Sequence, residues 1–377
     1  MERRVADRSD SEPNSPADPA AAWEEFCESL KSAGDVLRRG DTPQDEQTLA
    51  EGHRYLMRLL RAGFENVYEL AEPARPVLSP MVGPLLQYEG VTSDARYLHA
   101  FIDGSQSYRV TGSRGEAPLV EFGVYTGKQG MHEESLLLSS LTERSLTLES
   151  DGSIVVSIGP ESRPGNWIQT DESARYMMIR QYAHDWSDRA AGVFRIEREG
   201  ADRGMAPLTL ERVREALADT VAFTRSASEI WAGISDYWSG FAVNRFVPQL
   251  DADARTDIAP PSGHHFSCGY FRIEPDEALL IRFDPDRHGE AAYWSLGLAN
   301  YWYETIGWGA EDSQVNSRSA LYEPDGSVSA VISHEDPGRS NWVDPQGHRE
   351  GTLVFRWSRS EVGVPPIETR LVALGEL

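Results

Sequence analysis

The sequence predicts a mainly β protein with helical additions: two tandem, related jelly-roll-like sandwiches, an N-terminal helical pair and a central helical bridge. Three observations predict it. Residues 148–182, LESDGSIVVSIGPESRPGNWIQTDESARYMMIRQY, return at 321–357 as LYEPDGSVSAVISHEDPGRSNWVDPQGHREGTLVFRW. Asp151-Gly152-Ser153 comes back as Asp325-Gly326-Ser327, Asn166-Trp167 as Asn341-Trp342 and Arg180 as Arg356, with an offset that drifts only from 174 to 176. Short stretches of period-two alternation, punctuated by turn residues at regular spacing, surround both copies, which is the pattern of a sandwich. Two helix-period segments flank and separate these β regions.

The elements follow in chain order. Residues 1–20, rich in Pro, Ser and Asp, carry too little apolar surface to order themselves. Trp23, Phe26, Leu30 and Leu37 share one helical face, giving a helix near 21–39 that Asp41-Thr42-Pro43 ends. A longer helix over 45–71 has Leu49, Leu56, Leu59, Leu60, Phe64, Val67 and Tyr68 as its stripe. The prolines at 73, 76 and 80 close this 21–80 helical segment.

The first sandwich is expected over 86–200. A strand to Ile102, a turn at Asp103-Gly104-Ser105 and a strand at Tyr108–Thr111 read as a hairpin. Val120, Phe122 and Val124 alternate with Glu121, Gly123 and Tyr125, and 136–158 supplies two more strands around Asp151-Gly152. Ala174–Tyr182 and Gly192–Arg198 complete the block. The helical bridge is expected over 208–246, with Thr209 as N-cap and the small residues at 225–228 as a point of division. A linker at 251–259 leads to the second sandwich, 260–377. Setting LVEFGVYTGK against YWSLGLANYW aligns Gly123 with Gly297, so the duplication runs over roughly 97–197 and 266–373.

The second copy carries a motif of fixed spacings: Trp294-Ser295, Asp325-Gly326-Ser327, His334, Pro337-Gly338, Asn341-Trp342 and Arg356. It resembles the C-terminal signature of a large bacterial family of β-sandwich proteins known only as a domain of unknown function. That family's Asn-Arg pair is spread here as Asn316-Ser317-Arg318. The resemblance implies a jelly-roll-like fold and brings no catalytic residue with it.

Lys+Arg 36 against Asp+Glu 60 gives a net charge of −24, which repels phosphate backbones and anionic lipid. Nucleic acid and membrane partners are therefore not expected, while association with further copies of the chain stays open. Two cysteines, Cys27 and Cys268, form no CxxC and call for no disulfide. The N-terminal stretch has no apolar signal core, and no run of 18 apolar residues occurs, so the expected location is the cytoplasm.

The duplication also sorts the candidate chemistry. Polar residues present in both copies, such as Asn166/Asn341 and Arg180/Arg356, are expected to hold up the shared fold. Those in one copy alone are the better site candidates. Glu121, aligned with Ser295, is a candidate general base on a strand face shared with Tyr125, its pKa raised by burial. His264 and His265 have no counterpart, and one of them in a cleft would be the acid/base partner. Adjacent strand residues face opposite ways, so the pair does not chelate one metal, and no HExxH or phosphate-loop motif occurs; Lys128 in GVYTGK lacks the following Ser or Thr. No metal and no other cofactor is expected. Tyr125, Tyr237, Arg245 and Tyr303 are the expected cleft lining, among aromatics that mostly serve the core.

The reading at this point is a non-redox enzyme of hydrolase, lyase or isomerase type, acting by acid/base catalysis on a small, partly apolar hydroxylated molecule between the sandwiches. A carbohydrate-active or carbohydrate-binding protein would instead show a flat row of exposed aromatics on one sheet. A non-catalytic scaffold would show a large apolar patch and no convergent pocket.

Overall fold

A computed structural model of the chain describes residues 20–40, 42–127, 130, 135–183, 191–200, 207–248, 263–285, 289, 291–310 and 312–377. The expected disorder before Ala20, Lys128 and the linker at 251–259 lie outside the described residues.

The first half holds β1 (Ser79–Val82), β2 (Ala95–Phe101), β3 (Tyr108–Gly115), β4 (Leu119–Thr126), β5 (Leu137–Thr142), β6 (Ile154–Gly159), β7 (Asn166–Gln169), β8 (Ala174–Tyr182) and β9 (Ala191–Arg198). The second holds β10 (Phe246–Pro248), β11 (His264–Arg272), β12 (Glu277–Phe283), β13 (Tyr293–Ala299), β14 (Gln314–Asn316), β15 (Val328–Ser333), β16 (Trp342–Val343), β17 (Glu350–Ser358) and β18 (Ile367–Ala373). Each half pairs a five-stranded sheet with a four-stranded one. The orders are β1-β2-β8-β4-β5 and β7-β6-β3-β9 in the first half, and β10-β11-β17-β13-β14 and β16-β15-β12-β18 in the second. Strand for strand the two halves match, so the duplication reaches back to β1 and β10, beyond what sequence alignment detects.

Val110, Val120, Phe122, Val156, Met177 and Ile179 fill the space between the two sheets of the first half. Phe271, Ile281, Leu296, Val328, Leu353 and Phe355 do so in the second. The central strands of the five-stranded sheets are buried on both faces. All seven residues from Leu119 to Tyr125 are buried, whereas β3 alternates buried and exposed at its start. The outer faces of the large sheets pack on α2 (Glu46–Phe64) and α3 (Leu210–Phe241) in a third core containing Tyr55, Tyr97, Tyr182, Phe223, Trp238 and Tyr270.

Two sequence expectations give way here. Residues 95–111 are not a hairpin: β2 pairs with β1 and β8, while β3 lies in the other sheet with β6 and β9. Alternation identifies a strand but not its partner, and the Asp103-Gly104-Ser105 turn is a corner between sheets, where Gly104 lies against the backbone of Asp171. β5 and β6 likewise belong to different sheets. The bridge does not divide at 225–228: α3 runs unbroken for 32 residues from its Thr209 cap, whose hydroxyl accepts from Arg212 N at 3.2 Å. Ser226, Ala227 and Ser228 are buried, so their small size permits close packing and marks no break.

The Asn and Trp shared by both copies do the same work twice, whereas Arg180 binds Glu121 and Tyr125 and Arg356 binds the Gly90 carbonyl. Asn166 Nδ2 donates to Thr147 O and Val155 O at 2.8 and 2.9 Å, and Asn341 Nδ2 donates to Leu321 O and Ser329 O at the same two distances. Trp167 Nε1 donates to Gly159 O at 3.2 Å and Trp342 Nε1 to Ser333 O at 2.9 Å. Each Asn stitches a loop to a strand, and each Trp holds a strand end.

The halves meet through a tight turn at Glu89-Gly90. Gly90 has φ +55, its N–H donates to Tyr303 O at 2.7 Å and its carbonyl accepts from Arg356. A Cβ there would lie 2.4 Å from the Tyr303 ring. Gly90→Ala is therefore expected to lose about 2 kcal/mol, from the left-handed backbone and the clash together. Gly83→Ala, where a Cβ meets nothing within 4 Å, should stay within about 0.5 kcal/mol of the parent. Urea unfolding of both variants measures the contrast, and equal losses would remove Gly90 from the account of how the halves dock.

Candidate functional site

Each half inserts the start of one strand into the other half, and the duplication makes the two junctions equivalent. In the first half Glu121 of β4 stands opposite Arg180 of β8 and Thr142 of β5. In the second, Ser295 of β13 stands opposite Arg356 of β17 and Asn316 of β14. Ala95 opens β2 opposite Tyr182, and His264 opens β11 opposite Ser358. Position by position, Glu121 thus corresponds to Ser295, Glu143 to Ser317, His264 to Ala95 and Arg359 to Ala183.

At the first junction β11 brings His264 against Glu121, and the chain after β17 adds Arg359. Glu121 Oε2 lies 3.3 Å from His264 Nε2 and accepts from Arg359 Nη1 at 2.9 Å, while Oε1 accepts from Arg180 Nη1 at 3.4 Å. Arg359, at φ +60, also grips Glu143 through two bonds of 3.1 and 3.2 Å, and its Nη1 lies 3.1 Å from His264 Nε2. Arg180 donates to the Tyr125 hydroxyl as well. Glu121, His264, Tyr125 and Arg359 are all buried.

The structure brings Glu121, His264 and Tyr125 together, but the raised pKa expected for Glu121 does not hold. Burial alone would raise the Glu121 pKa; the hydrogen bond from His264 and the charges of Arg180 and Arg359 outweigh it and hold the carboxyl at about 2. A carboxylate that stable is a poor base at neutral pH. Burial lowers the His264 pKa, against the pull of Glu121 and helped by Arg359 and Arg180, so its imidazole is neutral. Glu121 and His264 form a buried latch between the halves.

At the second junction those large charged groups are replaced by Ser295, Ser317, Ala95 and Ala183, and a cleft of about 970 Å³ opens beside them. Asp94, one residue before β2, lies on its floor and is buried. Its carboxylate accepts from Tyr293 Oη at 2.9 Å, from Asn316 Nδ2 at 2.8 Å and from Gln314 Nε2, all three from the second half. Burial pushes the Asp94 pKa up to about 6, against the hydrogen bonds from Tyr293, Asn316 and Gln314 and the charge of Arg356. Pro80, Val82, Pro84, Tyr97, Leu98 and Trp308 give the walls an apolar character, and Arg96 and Arg318 are exposed at the cleft.

The remaining sequence candidates are scattered. His265 points away from the latch, its Nε2 3.2 Å from Ser360 O. Tyr303 is buried and stacks on Trp231 at 5.6 Å, where it receives Gly90. Tyr237 packs on Trp238 and Phe241 near the end of α3, and Arg245 donates to Phe241 O; neither lines the cleft. Asp94 was missed because it precedes the aligned part of the repeat. Its counterpart is Gly263, so the same one-copy criterion, applied at the strand entries, would have found it. Among the described residues no group of three or more His, Cys, Asp and Glu could hold a metal ion, and no helix is long and apolar enough to cross a membrane.

A family model described as a protein of unknown function, DUF1214, matches the chain twice, at 92–185 and 272–361. An uncharacterized protein from Burkholderia cenocepacia has a solved structure similar to this one, with a TM-score of 0.89 and 29% identity over 95% of this chain and 98% of its own. A protein from Vibrio parahaemolyticus aligns over 91% of this chain and 100% of its own, at 11% identity and a TM-score of 0.45. No curated protein matches.

The two junctions titrate with opposite sign. The folded pKa of Glu121 is below its unfolded value, so its contribution is present above about pH 4.5 and lost as pH falls towards 2, by about 3 kcal/mol in all. The folded pKa of Asp94 is above its unfolded value, so its protonated form favours the fold below about pH 4, and that contribution is lost as pH rises through 6. Glu121→Gln should lower stability at pH 7 by about 3 kcal/mol, since Arg180 and Arg359 lose a buried counter-charge, and should differ far less from the parent at pH 3. Asp94→Asn should flatten the parent's decline between pH 4 and 6. Urea midpoints across pH test both; a Glu121→Gln penalty as large at pH 3 as at pH 7 would sink the ionic account of the latch.

Proposed function

We propose, since the DUF1214 model matches the chain once in each half, that the duplication serves to build one ligand site from two unequal junctions, with the cleft at Asp94 as the site of acid/base chemistry on a small, partly apolar hydroxylated molecule. The observation that carries this reading is the asymmetry. One junction is filled by Glu121, Glu143, His264 and Arg359, and its equivalent is open over a buried carboxylate whose pKa lies near 6. A general base works best when its pKa is close to the working pH, which favours Asp94 over Glu121 at about 2. Clefts between domains with apolar walls and a few convergent polar groups are common ligand sites. Asp94 is the proton acceptor for a ligand hydroxyl, Tyr293 and Asn316 fix its orientation, and Trp308 and Pro84 cover the apolar body.

The same reading takes each half as a jelly-roll-like sandwich and the protein as cytoplasmic, supported by the charge of −24 and by two free cysteines. Stacking of sugars on a sheet face gains less support. Among the described residues the exposed large aromatics Trp23, Phe241 and Tyr322 sit on separate elements and form no row. A scaffolding role alone gives no reason for a polar floor under an open cleft.

A thermal-shift screen over small alcohols, hydroxy acids and sugars tests the proposal. A ligand at about 100 times its dissociation constant stabilises the fold by about 2.7 kcal/mol. The expected result is a shift in the parent that disappears in Gly83→Trp, since Gly83 lines the cleft and its Cβ direction is open. Asp94→Asn should keep binding within about tenfold yet lose turnover of the identified ligand, and the parent's pH–rate profile should bend near pH 6. Turnover retained by Asp94→Asn would remove Asp94 from the chemistry, and a shift retained by Gly83→Trp would move the ligand elsewhere.

A further inference from the structure

We propose that the molecule held in this cleft is a small organic carboxylate, its charged end bound by Arg318 and Arg96 and its apolar body laid against Trp308 and Pro84. The inference rests on the cleft reading above and specifies the ligand. Its first support is the fate of one residue at the two equivalent junctions. Arg318 lies two positions beyond Asn316, as Arg144 lies two beyond Thr142, and those two residues oppose Ser295 and Glu121. Arg144 Nη2 donates to the carbonyl of Arg359 at 3.3 Å and so helps to close the filled junction. Arg318 lines the open one, is exposed, and forms no ion pair among the described residues.

The second support is charge. In a chain of −24, two guanidiniums line this one cleft, and a guanidinium fork matches the two oxygens of a carboxylate. Asp94 on the floor repels a second negative charge, which favours a monoanion over a phosphate dianion. The distribution of groups then orients the molecule: carboxylate at the arginines, ring or chain on the apolar wall, hydroxyl towards Asp94 and Asn316.

The probes are 4-hydroxyphenylacetate, its neutral amide 4-hydroxyphenylacetamide, and phenyl phosphate, titrated into the full-length protein by calorimetry at low and at physiological ionic strength. The acid should bind about tenfold tighter than the amide and lose affinity with salt, and phenyl phosphate should bind more weakly than the acid. Arg318→Ala and Arg96→Ala should each weaken the acid about five- to tenfold and leave the amide unchanged, with Arg318→Lys restoring part of the loss. Both arginines are exposed, and urea midpoints confirm that the variants fold. Equal binding of acid and amide, or an acid affinity indifferent to both arginines, overturns the carboxylate inference while the cleft stands if Gly83→Trp still blocks the probe. Tighter binding of phenyl phosphate likewise overturns it. Absence of all binding, or binding that Gly83→Trp does not block, overturns the cleft reading as well.

Discussion

The contact on which the arrangement of the two halves depends is a carboxylate from one half held by cations from both. Glu121 lies between Arg180 of its own sheet and Arg359 of the other half, with the neutral ring of His264 beside it. Charges taken out of water are tolerated only when paired and hydrogen-bonded, and removing one partner leaves the others exposed to the full desolvation cost. This makes the latch specific: no displaced docking of the halves would satisfy three buried charged or polar side chains and the half-buried Arg180 at once. Tyr182 reinforces it, its ring 5.7 Å from that of His264 and 5.4 Å from that of Tyr293, so that both junctions share one aromatic wall.

The helices complete the clamp. Trp302 Nε1 donates to Thr48 O at 2.7 Å, and Glu304, buried in the second half, is held by Arg54 at 2.7 Å and by Arg58, both on α2. His348 adds a 3.0 Å contact to Glu51. Tyr301, Trp302 and Tyr303 are buried in this packing, and Trp308, half-buried against the same core, also lines the cleft. α2, α3 and the latch all join the halves, and the floor of the cleft at Asp94 is made by both.

Two equal copies would have made two equal junctions. The substitutions that separate them are few and concern size and charge more than backbone: Glu121 against Ser295, Glu143 against Ser317, His264 against Ala95, Arg359 against Ala183. One copy gives up its cleft to become the joint, and the other keeps a cleft that the joint holds open. Residues unique to one copy therefore fall into two kinds, those that fill a junction and those, such as Asp94, that face the open one, where Arg318 also lies although its counterpart Arg144 is an arginine too.

What the sequence determined by itself was the duplicated, mainly β architecture. The repeated Asp-Gly-Ser, Asn-Trp and Arg placed the strands and the duplication, because turn chemistry and period-two alternation are local properties of a chain. The same comparison singled out Glu121, because a change from Ser to Glu is visible without a structure, and His264, because it has no counterpart in the alignment. The tertiary structure alone decided what those residues do. Strand partners are chosen by burial on two faces, so β2 and β3 part at Asp103 and no hairpin forms. The pKa of Glu121 depends on Arg359, 238 residues away in the chain, and the value for Asp94 depends on Tyr293, Asn316 and Gln314. Charge partners and desolvation are properties of neighbours in space, and a linear pattern carries neither.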